Sequence, residues 1–157
     1  MRRTRVLGLD TLAATRELAG SLAELLRPGD LVTLEGDLGA GKSEMARAMI
    51  RCVAAADIEV PSPTFTLVQR YELASLVVTH MDLYRLRSPS ELEELGWEEA
   101  LAEGALLVEW PERAQGAFPI PALTLRIEPD PGRGVEARRI EIEHVDDRWS
   151  AAWADVP

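Results

Sequence analysis

The sequence has no asparagine, a single cysteine and a single lysine, and each scarcity excludes some chemistry. Because Cys52 has no second cysteine to pair with, an intrachain disulfide is excluded and a reducing compartment is favoured. No apolar run approaches the roughly 18–20 residues that cross a bilayer, and no apolar signal core follows the basic start at Met1–Arg5. We therefore expect a cytoplasmic protein without a membrane partner.

Positive charge is also scarce, since 17 basic residues stand against 27 acidic ones and give a net charge of −10. A surface of this sign disfavours direct, non-specific binding to nucleic acid, which requires many cations facing phosphates. Sixteen of the basic residues are arginine, so Lys42 is the one lysine whose position needs an explanation. With 157 residues and 46% hydrophobic side chains, the chain has the size and composition of one domain over residues 1–157.

Hydrophobic periodicity predicts an alternation of helices and strands. The predicted helices are one that follows Asp10 and ends at Pro28, Ser43–Ala56, one from Ser88 to about Gly96, and a short one at Asp147–Ala154. The predicted strands are Leu31–Glu35, Leu67–Glu72, Leu76–Met81, Ala105–Trp110, Leu123–Glu128 and Arg138–Glu143. The second and third of these strands are close enough in the chain for an antiparallel hairpin, and the last two alternate like edge strands.

A glycine-rich loop lies between the first predicted strand and the second predicted helix. Residues 36–43 read GDLGAGKS and fit the pattern G-x-x-x-x-G-K-[S/T] of phosphate-binding loops. In such a loop the glycines let backbone N–H groups converge on phosphate oxygens, and the helix N-terminus adds partial positive charge. Lys42 is expected to reach the β and γ phosphates, and the Ser43 hydroxyl to ligate magnesium. The predicted nucleotide-binding residues are therefore Gly36, Asp37, Leu38, Gly39, Ala40, Gly41, Lys42 and Ser43.

The absent asparagine bears on which nucleotide this loop binds. The guanine-reading N-K-x-D element of small GTPases requires an asparagine and a further lysine, and the chain has neither. ATP is therefore favoured as the ligand, together with the Mg²⁺ ion that bound triphosphates carry.

Two acidic residues at strand ends are candidates for the chemistry beside the phosphates. Asp82 follows one apolar strand, and Glu109 ends another. Either carboxylate could hold magnesium through water or orient the attacking water, and the sequence leaves that choice open. The predicted catalytic residues are Lys42 and Glu109, and the predicted metal-binding residues are Ser43, Asp82 and Glu109.

Other polar and aromatic residues near these acids have weaker signals. Thr64 and Thr66 lie in a proline-stiffened loop where nucleotide-sensing switch loops occur in related folds, so either hydroxyl is a candidate for γ-phosphate contact. Arg85 is either a group that neutralises developing charge or a solvated side chain. His80 is interpreted as a structural strand residue, and Trp110, from the residues alone, as a core residue.

Four segments, in this order, resemble the TsaE (YjeE) family: GDLGAGKS at 36–43, SPTF at 62–65, HMDLYRL at 80–86 and VEWPE at 108–112. The resemblance covers residues 31–112 and implies an α/β, P-loop NTPase-like fold with a mixed (parallel plus antiparallel) sheet and flanking helices. It also implies that Asp82 and Glu109 are functional acids. Thr64, in a switch-like loop, and Trp110, near the nucleotide, join the predicted nucleotide-binding residues on the same ground.

The TsaE family is the small ATPase of bacterial tRNA threonylcarbamoyladenosine synthesis. The resemblance therefore implies ATP and Mg²⁺ as cofactors, the TsaB–TsaD heterodimer as partner, and contact with tRNA only through that complex. Family members usually carry two hydroxyl residues after the P-loop lysine, whereas Ser43 is followed here by Glu44. A carboxylate at that position either weakens triphosphate binding or is turned away from the phosphates.

Two other functions are compatible with the sequence. A small-molecule P-loop kinase uses the same phosphate loop, but it needs an acceptor pocket, and the sequence contains no arginine-rich lid. A nucleotide-gated interaction module would bind nucleotide with only incidental hydrolysis. Phosphate transfer to small acceptors would favour the kinase, and tRNA modification supported by a hydrolysis-dead variant would favour the module.

Overall fold

The computed structural model describes residues 2–156, so Met1 and Pro157, the two ends of the predicted domain, lie outside the described residues. The strands are β1 (Arg3–Leu9), β2 (Leu31–Glu35), β3 (Val68–Glu72), β4 (Val77–Asp82), β5 (Ala105–Glu109), β6 (Leu123–Pro129) and β7 (Arg138–His144). The helices are α1 (Leu12–Ala23), α2 (Lys42–Ala54), α3 (Pro89–Glu94) and α4 (Trp97–Glu103), with 3-10 helices at Pro111–Ala114 and Asp147–Trp153. All seven strands belong to one sheet, in the order β1-β7-β6-β2-β5-β4-β3.

The sheet is mixed in direction. Strands β4, β5, β2 and β6 run parallel to their neighbours in this series, whereas β1 with β7, β7 with β6, and β3 with β4 are antiparallel. Strands β2, β4 and β5 are almost wholly buried, as strands with both faces covered must be, and every residue of β5 is buried. The carboxyl ends of β2, β4 and β5 therefore meet at one edge of the sheet.

Helices cover the two faces of the sheet unequally. On one face α1, α2 and the last 3-10 helix pack over the whole central sheet, in a core that includes Leu22, Met49 and Trp149. On the other face the shorter α3 and α4 cover only the region around Met81 and Leu92. The charged β6 and β7 residues on this second face are therefore partly or fully exposed to solvent, whereas Thr124 of β6 is buried beside Thr33.

This exposure corrects one sequence expectation. The alternating segments predicted as edge strands are β6 and β7, but β6 lies between β2 and β7, and β7 lies between β6 and β1. Polar and apolar residues alternate in β6 and β7 because one face of the sheet is exposed to solvent at these two strands. The true edges are β3 and β1, and β1 was not predicted.

Smaller differences concern the ends of helices. The N-cap of α1 is Thr11, whose hydroxyl accepts a hydrogen bond from the Ala14 N–H at 3.0 Å. Gly96, expected to end a helix, adopts φ of 72° and starts the additional helix α4. The closing helix is a 3-10 helix at Asp147–Trp153.

Among residues 2–156, no helix has both the length and the apolar character needed to cross a membrane.

Candidate nucleotide-binding site

A cleft of about 580 Å³ lies at the carboxyl edge of the parallel strands, beside the N-terminus of α2. Ten of the predicted site residues line this cleft: Leu38, Gly39, Ala40, Gly41, Lys42, Ser43, Thr64, Asp82, Glu109 and Trp110. Gly36 and Asp37 do not line the cleft, but their carbonyl oxygens accept hydrogen bonds from the Lys42 ammonium. The structure thus brings residues from four separate segments of the chain to one place.

The glycine loop has a backbone shape that ordinary residues do not adopt. Gly36 has φ of 152°, and a Cβ added there would lie 2.4 Å from the Ile127 carbonyl oxygen, so a side chain is excluded. Gly41 has φ of 114° and forms the N-cap of α2. The amides of the first turn of α2 have no carbonyl partner within the helix, as at any helix start, and they adjoin the cleft. This is an anion-binding geometry.

Lys42 is buried, with 5% of its surface exposed. Its ammonium donates to the carbonyls of Gly36 and Asp37, the latter at 2.8 Å, and lies 4.3 Å from the centre of the Trp110 ring. Burial lowers the pKa of Lys42, although the carboxylates of Glu109 and Asp82 act in the opposite direction. A cation in this setting gains stability when an anion such as a phosphate enters the cleft.

Glu109 lies at the centre of a buried hydrogen-bond network. The Ser43 hydroxyl donates to its Oε1 at 2.8 Å, and Nε2 of His80 lies 2.7 Å from its Oε2. Glu109 is 2% exposed and His80 is fully buried. The P-loop serine and the strand-end acid are therefore already in contact, which the sequence alone did not indicate.

Asp82 lies at the end of β4, directly opposite Glu109 in the parallel β4–β5 pair. Its Oδ1 accepts a hydrogen bond from the Tyr84 N–H at 3.0 Å. Burial raises the pKa of Asp82; the hydrogen bond from Tyr84 lowers it, and the nearby charge of Glu109 raises it further. Two carboxylates at adjacent strand ends in a cleft are an arrangement that a divalent cation would stabilise.

Trp110 follows Glu109 and has φ of 58°, a left-handed conformation that is rare for a bulky residue. Its ring contacts the Lys42 ammonium and also the Tyr84 ring, whose centre is 5.0 Å away. From the residues alone Trp110 was interpreted as a core residue. It is partly buried, but it lines the cleft.

A family model described as Threonylcarbamoyl adenosine biosynthesis protein TsaE matches residues 9–140. The chain belongs to the TsaE family. The TsaE of Rickettsia conorii is 41% identical over 120 residues, which are 76% of this chain and 69% of that protein. The TsaE of Bacillus subtilis is 35% identical over 136 residues, covering 86% of this chain and 82% of the relative.

A solved structure supports the same assignment. The crystal structure of Bacillus subtilis YdiB is similar with a TM-score of 0.77 and 28% identity, over 97% of this chain and 93% of that one. Together with the mixed seven-stranded sheet and its flanking helices, this similarity confirms the predicted fold class.

In this TsaE-family chain the unusual Glu44 is neutralised by two arginines. Its carboxylate binds Arg16 of α1 at 2.8 Å and Arg47 of α2 at 3.5 Å. Burial acts to raise its pKa, but the hydrogen bond and charge of Arg16, with Arg47, lower the pKa of Glu44 below its ordinary value. Glu44 still lines the cleft. Its charge is thus compensated by neighbours rather than presented alone to a triphosphate.

Nothing in the sequence indicated that residues after Phe118 line the cleft, yet several of them do. The start of β7 places Arg138 beside the P-loop, where its Nε donates to the Ala40 carbonyl at 2.8 Å. The β6–β7 loop also brings Val135 and Glu136 to the cleft wall. No local motif marks Arg138, because it lies 98 residues after Ala40 in the chain. Only the place of β7 in the sheet brings the two residues together.

The two threonines of the loop before β3 lie in different surroundings. Thr64 lines the cleft, and its hydroxyl lies 2.8 Å from that of Ser62. Thr66 is not among the cleft residues; its hydroxyl accepts a hydrogen bond from the Gln69 amide at 3.3 Å. Of the two threonines, Thr64 is the one that the structure places at the cleft.

The donor set fits a magnesium ion that is shared with a nucleotide. Ser43, Asp82 and Glu109 offer oxygen atoms, which Mg²⁺ prefers. Within residues 2–156 no cluster of three or more histidine, cysteine or acidic residues forms a metal site by itself. A protein that binds Mg²⁺ through one or two side chains, phosphate oxygens and water needs no such cluster.

Proposed function

We propose that this chain binds and hydrolyses magnesium–ATP, as the ATPase subunit that acts on the TsaB–TsaD heterodimer in tRNA threonylcarbamoyladenosine modification. The observation that carries the proposal is the convergence of Lys42, Ser43, Asp82 and Glu109 at one end of the cleft, beside the glycine loop. Membership of the TsaE family supports the pathway. The single domain over residues 1–157 and the cytoplasmic location belong to the same proposal.

Each residue in the cleft has a chemical task in this proposal. The amides of the P-loop and Lys42 hold the β and γ phosphates, and Thr64 contacts the γ phosphate. Ser43 and Asp82 would hold the magnesium ion, which supplies neutralisation of phosphate charge. Trp110 contacts Lys42 and lies beside the nucleotide.

Glu109 is the proposed general base. It orients a water molecule whose oxygen forms a bond to the γ-phosphorus while the bond to the bridging oxygen of ADP breaks. The water proton passes to the Glu109 carboxylate, and Lys42 stabilises the charge that develops on the phosphate oxygens. This assignment makes Lys42 and Glu109 the catalytic residues.

Dependence on the partner follows from the state of the cleft arginines. Arg47 binds Glu44, Arg138 donates to the Ala40 carbonyl, and Arg85 lies 4.5 Å over the Phe65 ring. Two of these guanidinium groups are held by other groups of the chain, and Arg85 is exposed on the cleft rim over the exposed Phe65 ring, so none of the three is fixed toward the phosphates as an arginine finger is. We therefore expect slow hydrolysis by the isolated protein and faster hydrolysis with TsaB–TsaD.

The test measures release of inorganic phosphate from ATP with and without purified TsaB–TsaD. The expected result is turnover well above that of the isolated chain, which Lys42→Ala abolishes in both conditions. An isolated rate equal to that of the mixture would contradict partner dependence. Transfer of the γ phosphate to a nucleoside or small acid, in place of its release, would support the kinase alternative.

A further inference from the structure

His80 is fully buried beneath the proposed catalytic base. In the parallel pair of β4 and β5, Asp82 lies opposite Glu109 and His80 lies opposite Leu107, two residues deeper in the sheet. Side chains two residues apart on a strand share a face, so His80 projects on the same face as Asp82 and Glu109. Its Nε2 approaches the Glu109 Oε2 to 2.7 Å.

The surroundings of the imidazole decide which nitrogen carries the proton. Nδ1 of His80 is buried and has no hydrogen-bond partner among residues 2–156. A neutral imidazole has one N–H, and a carboxylate only accepts hydrogen bonds. A proton on Nδ1 would leave a buried donor unpaired and would turn the Nε2 lone pair toward the carboxylate. The arrangement therefore requires the proton on Nε2, donated to Glu109.

The two oxygens of Glu109 are consequently held by groups of different kinds. Oε1 accepts from Ser43, a P-loop hydroxyl that has a second task as the proposed magnesium ligand. Oε2 accepts from His80, which is enclosed within the sheet and has no other task. When Ser43 turns to another partner, the bond from His80 is the one that still fixes the carboxylate.

We propose that His80 is a positioning residue for Glu109, and that its Nε2–H holds Oε2 so that Oε1 faces the attacking water. This inference rests on the proposed ATP hydrolysis. His80 keeps its proton throughout, because the proton of the water passes to Glu109 and not to the imidazole. His80 therefore touches no reacting atom and acts through the orientation of Glu109.

Two amide substitutions separate the hydrogen bond from the loss of the ring. In His80→Gln the amide nitrogen is three bonds from Cβ, as Nε2 is in histidine. In His80→Asn it is only two bonds from Cβ, as Nδ1 is. Both variants remove the imidazole from the core, but only His80→Gln retains a donor at the position that contacts Glu109.

We expect His80→Asn to lower kcat roughly tenfold to a hundredfold, since small misplacements of a catalytic group cost that much, and His80→Gln to stay within about threefold of the unchanged protein. KM and the affinity for magnesium–ADP should change by less than about threefold in both variants. Equal rates in the two variants, whether both high or both low, would overturn the inference. ATP that is not hydrolysed by the unchanged protein would instead refute the proposed function.

The tautomer gives a readout that requires no turnover and no variant. The chain has two histidines, and they should carry opposite tautomers. Nδ1 of His144 lies 3.0 Å from the Asp146 carbonyl, an acceptor only, so its proton is on Nδ1. In ¹⁵N NMR spectra, His80 should show a protonated Nε2 and a bare Nδ1. A proton on Nδ1 of His80 would overturn the inference, even if hydrolysis itself is confirmed.

Discussion

The two halves of the sheet bury polar groups to very different extents. In the parallel half, β2, β5 and β4 end in a cluster where Lys42, His80, Asp82 and Glu109 are all buried. In the antiparallel half, β6 and β7 carry charges on a solvated face, where Arg126 pairs with Glu141 at 3.1 Å while 41% of its side chain is exposed. Exposed pairs of this kind contribute little to stability. Burial of charged groups costs free energy, so a cluster of buried charged residues is typical of a functional site.

One arginine of the antiparallel half contacts the P-loop directly. Arg138 begins β7 in the antiparallel half, yet it donates to the Ala40 carbonyl within the P-loop and to the carbonyls of Val135 and Ala137. The antiparallel half therefore forms a wall that fixes one side of the phosphate loop. Substitutions in the parallel half should therefore cause large losses of catalysis or magnesium binding. Substitutions in the antiparallel half should cause smaller losses of nucleotide affinity, because they act through the position of the P-loop.

The largest effect is expected from Glu109→Gln in the parallel half. The amide cannot accept the proton of the attacking water, so kcat should fall roughly 10²- to 10⁴-fold. Binding of a non-hydrolysable ATP analogue with magnesium should be nearly unchanged. Single-turnover phosphate release and analogue titration measure the two quantities separately.

Asp82→Asn should show the opposite pattern. The variant loses a proposed magnesium ligand, so magnesium should no longer tighten analogue binding, whereas binding without magnesium should be close to that of the unchanged protein. Titrations with and without magnesium make the comparison. An equal loss of affinity in Asp82→Asn and Glu109→Gln would show that this division of the two acids is wrong.

A smaller effect is expected where the two halves meet. Arg138→Met retains much of the side-chain length but removes the hydrogen bond to the P-loop carbonyl, which contributes about 1 kcal/mol. Nucleotide affinity should fall roughly fivefold, the change that corresponds to 1 kcal/mol. Calorimetric titration measures it.

The matched control is the next residue along β7. Arg139→Met removes an exposed pair with Glu128, whose side chains are 46% and 60% exposed. It should change nucleotide affinity and the free energy of unfolding by less than about 0.5 kcal/mol. A loss of affinity as large as that in Arg138→Met would show that the positive charge of β7, and not the contact of Arg138 with the Ala40 carbonyl, supports nucleotide binding.

The same contrast explains how far the sequence predicted the structure. In the parallel half each proposed site residue lies within a few positions of a glycine loop or a strand end, so local pattern was enough to predict that Lys42, Ser43, Asp82 and Glu109 meet in one place. Arg138 reaches the cleft only through strand pairing, and no short-range pattern records that. His80 was interpreted as structural, since a histidine inside an apolar strand carries no signal of the acid that packs on it from another strand.

The missed elements have a similar cause. Strand β1 begins two residues from the chain start, where exposed arginine and threonine alternate with few apolar residues, so its pairing with β7 gives no strong local signal. Helix α4 follows α3 with only a two-residue break, and a pattern that stops at Gly96 hides it. Local sequence thus predicted the strands β6 and β7 as well as the parallel strands, and what it missed is the edge strand β1 and the short helix that follows Gly96.

Tryptophan fluorescence provides a smaller, local test of the parallel half. Trp110 lies against the Lys42 ammonium in the cleft, so binding of ADP should change its emission. The change should persist in Trp97→Phe and disappear in Trp110→Phe. Persistence of the full signal in Trp110→Phe would place the nucleotide away from this ring.

The remaining two tryptophans are poor controls, although the signal should survive their removal too. Trp149 is fully buried and Trp153 is 8% exposed, both in the core beneath α1. Their replacement creates a cavity and lowers the free energy of unfolding by up to several kcal/mol. Trp97 is only half-buried, which makes Trp97→Phe the matched variant.

The least disturbing test uses the unchanged protein, because Lys42 is the single lysine and the only other ordinary amine is that of Met1, outside the described residues. Burial lowers the pKa of Lys42, so at about pH 8 a larger fraction of its amine is neutral and reactive than in an ordinary lysine. Bound ATP would place negative oxygens beside the ammonium, raise its pKa and cover it. An amine-acylating reagent should therefore modify Lys42 without nucleotide and spare it with magnesium–ATP, while the Met1 amine reacts equally in both. Peptide mass spectrometry counts the adducts, and acylation of Lys42 that saturating nucleotide leaves unchanged would mean that this loop does not bind triphosphate.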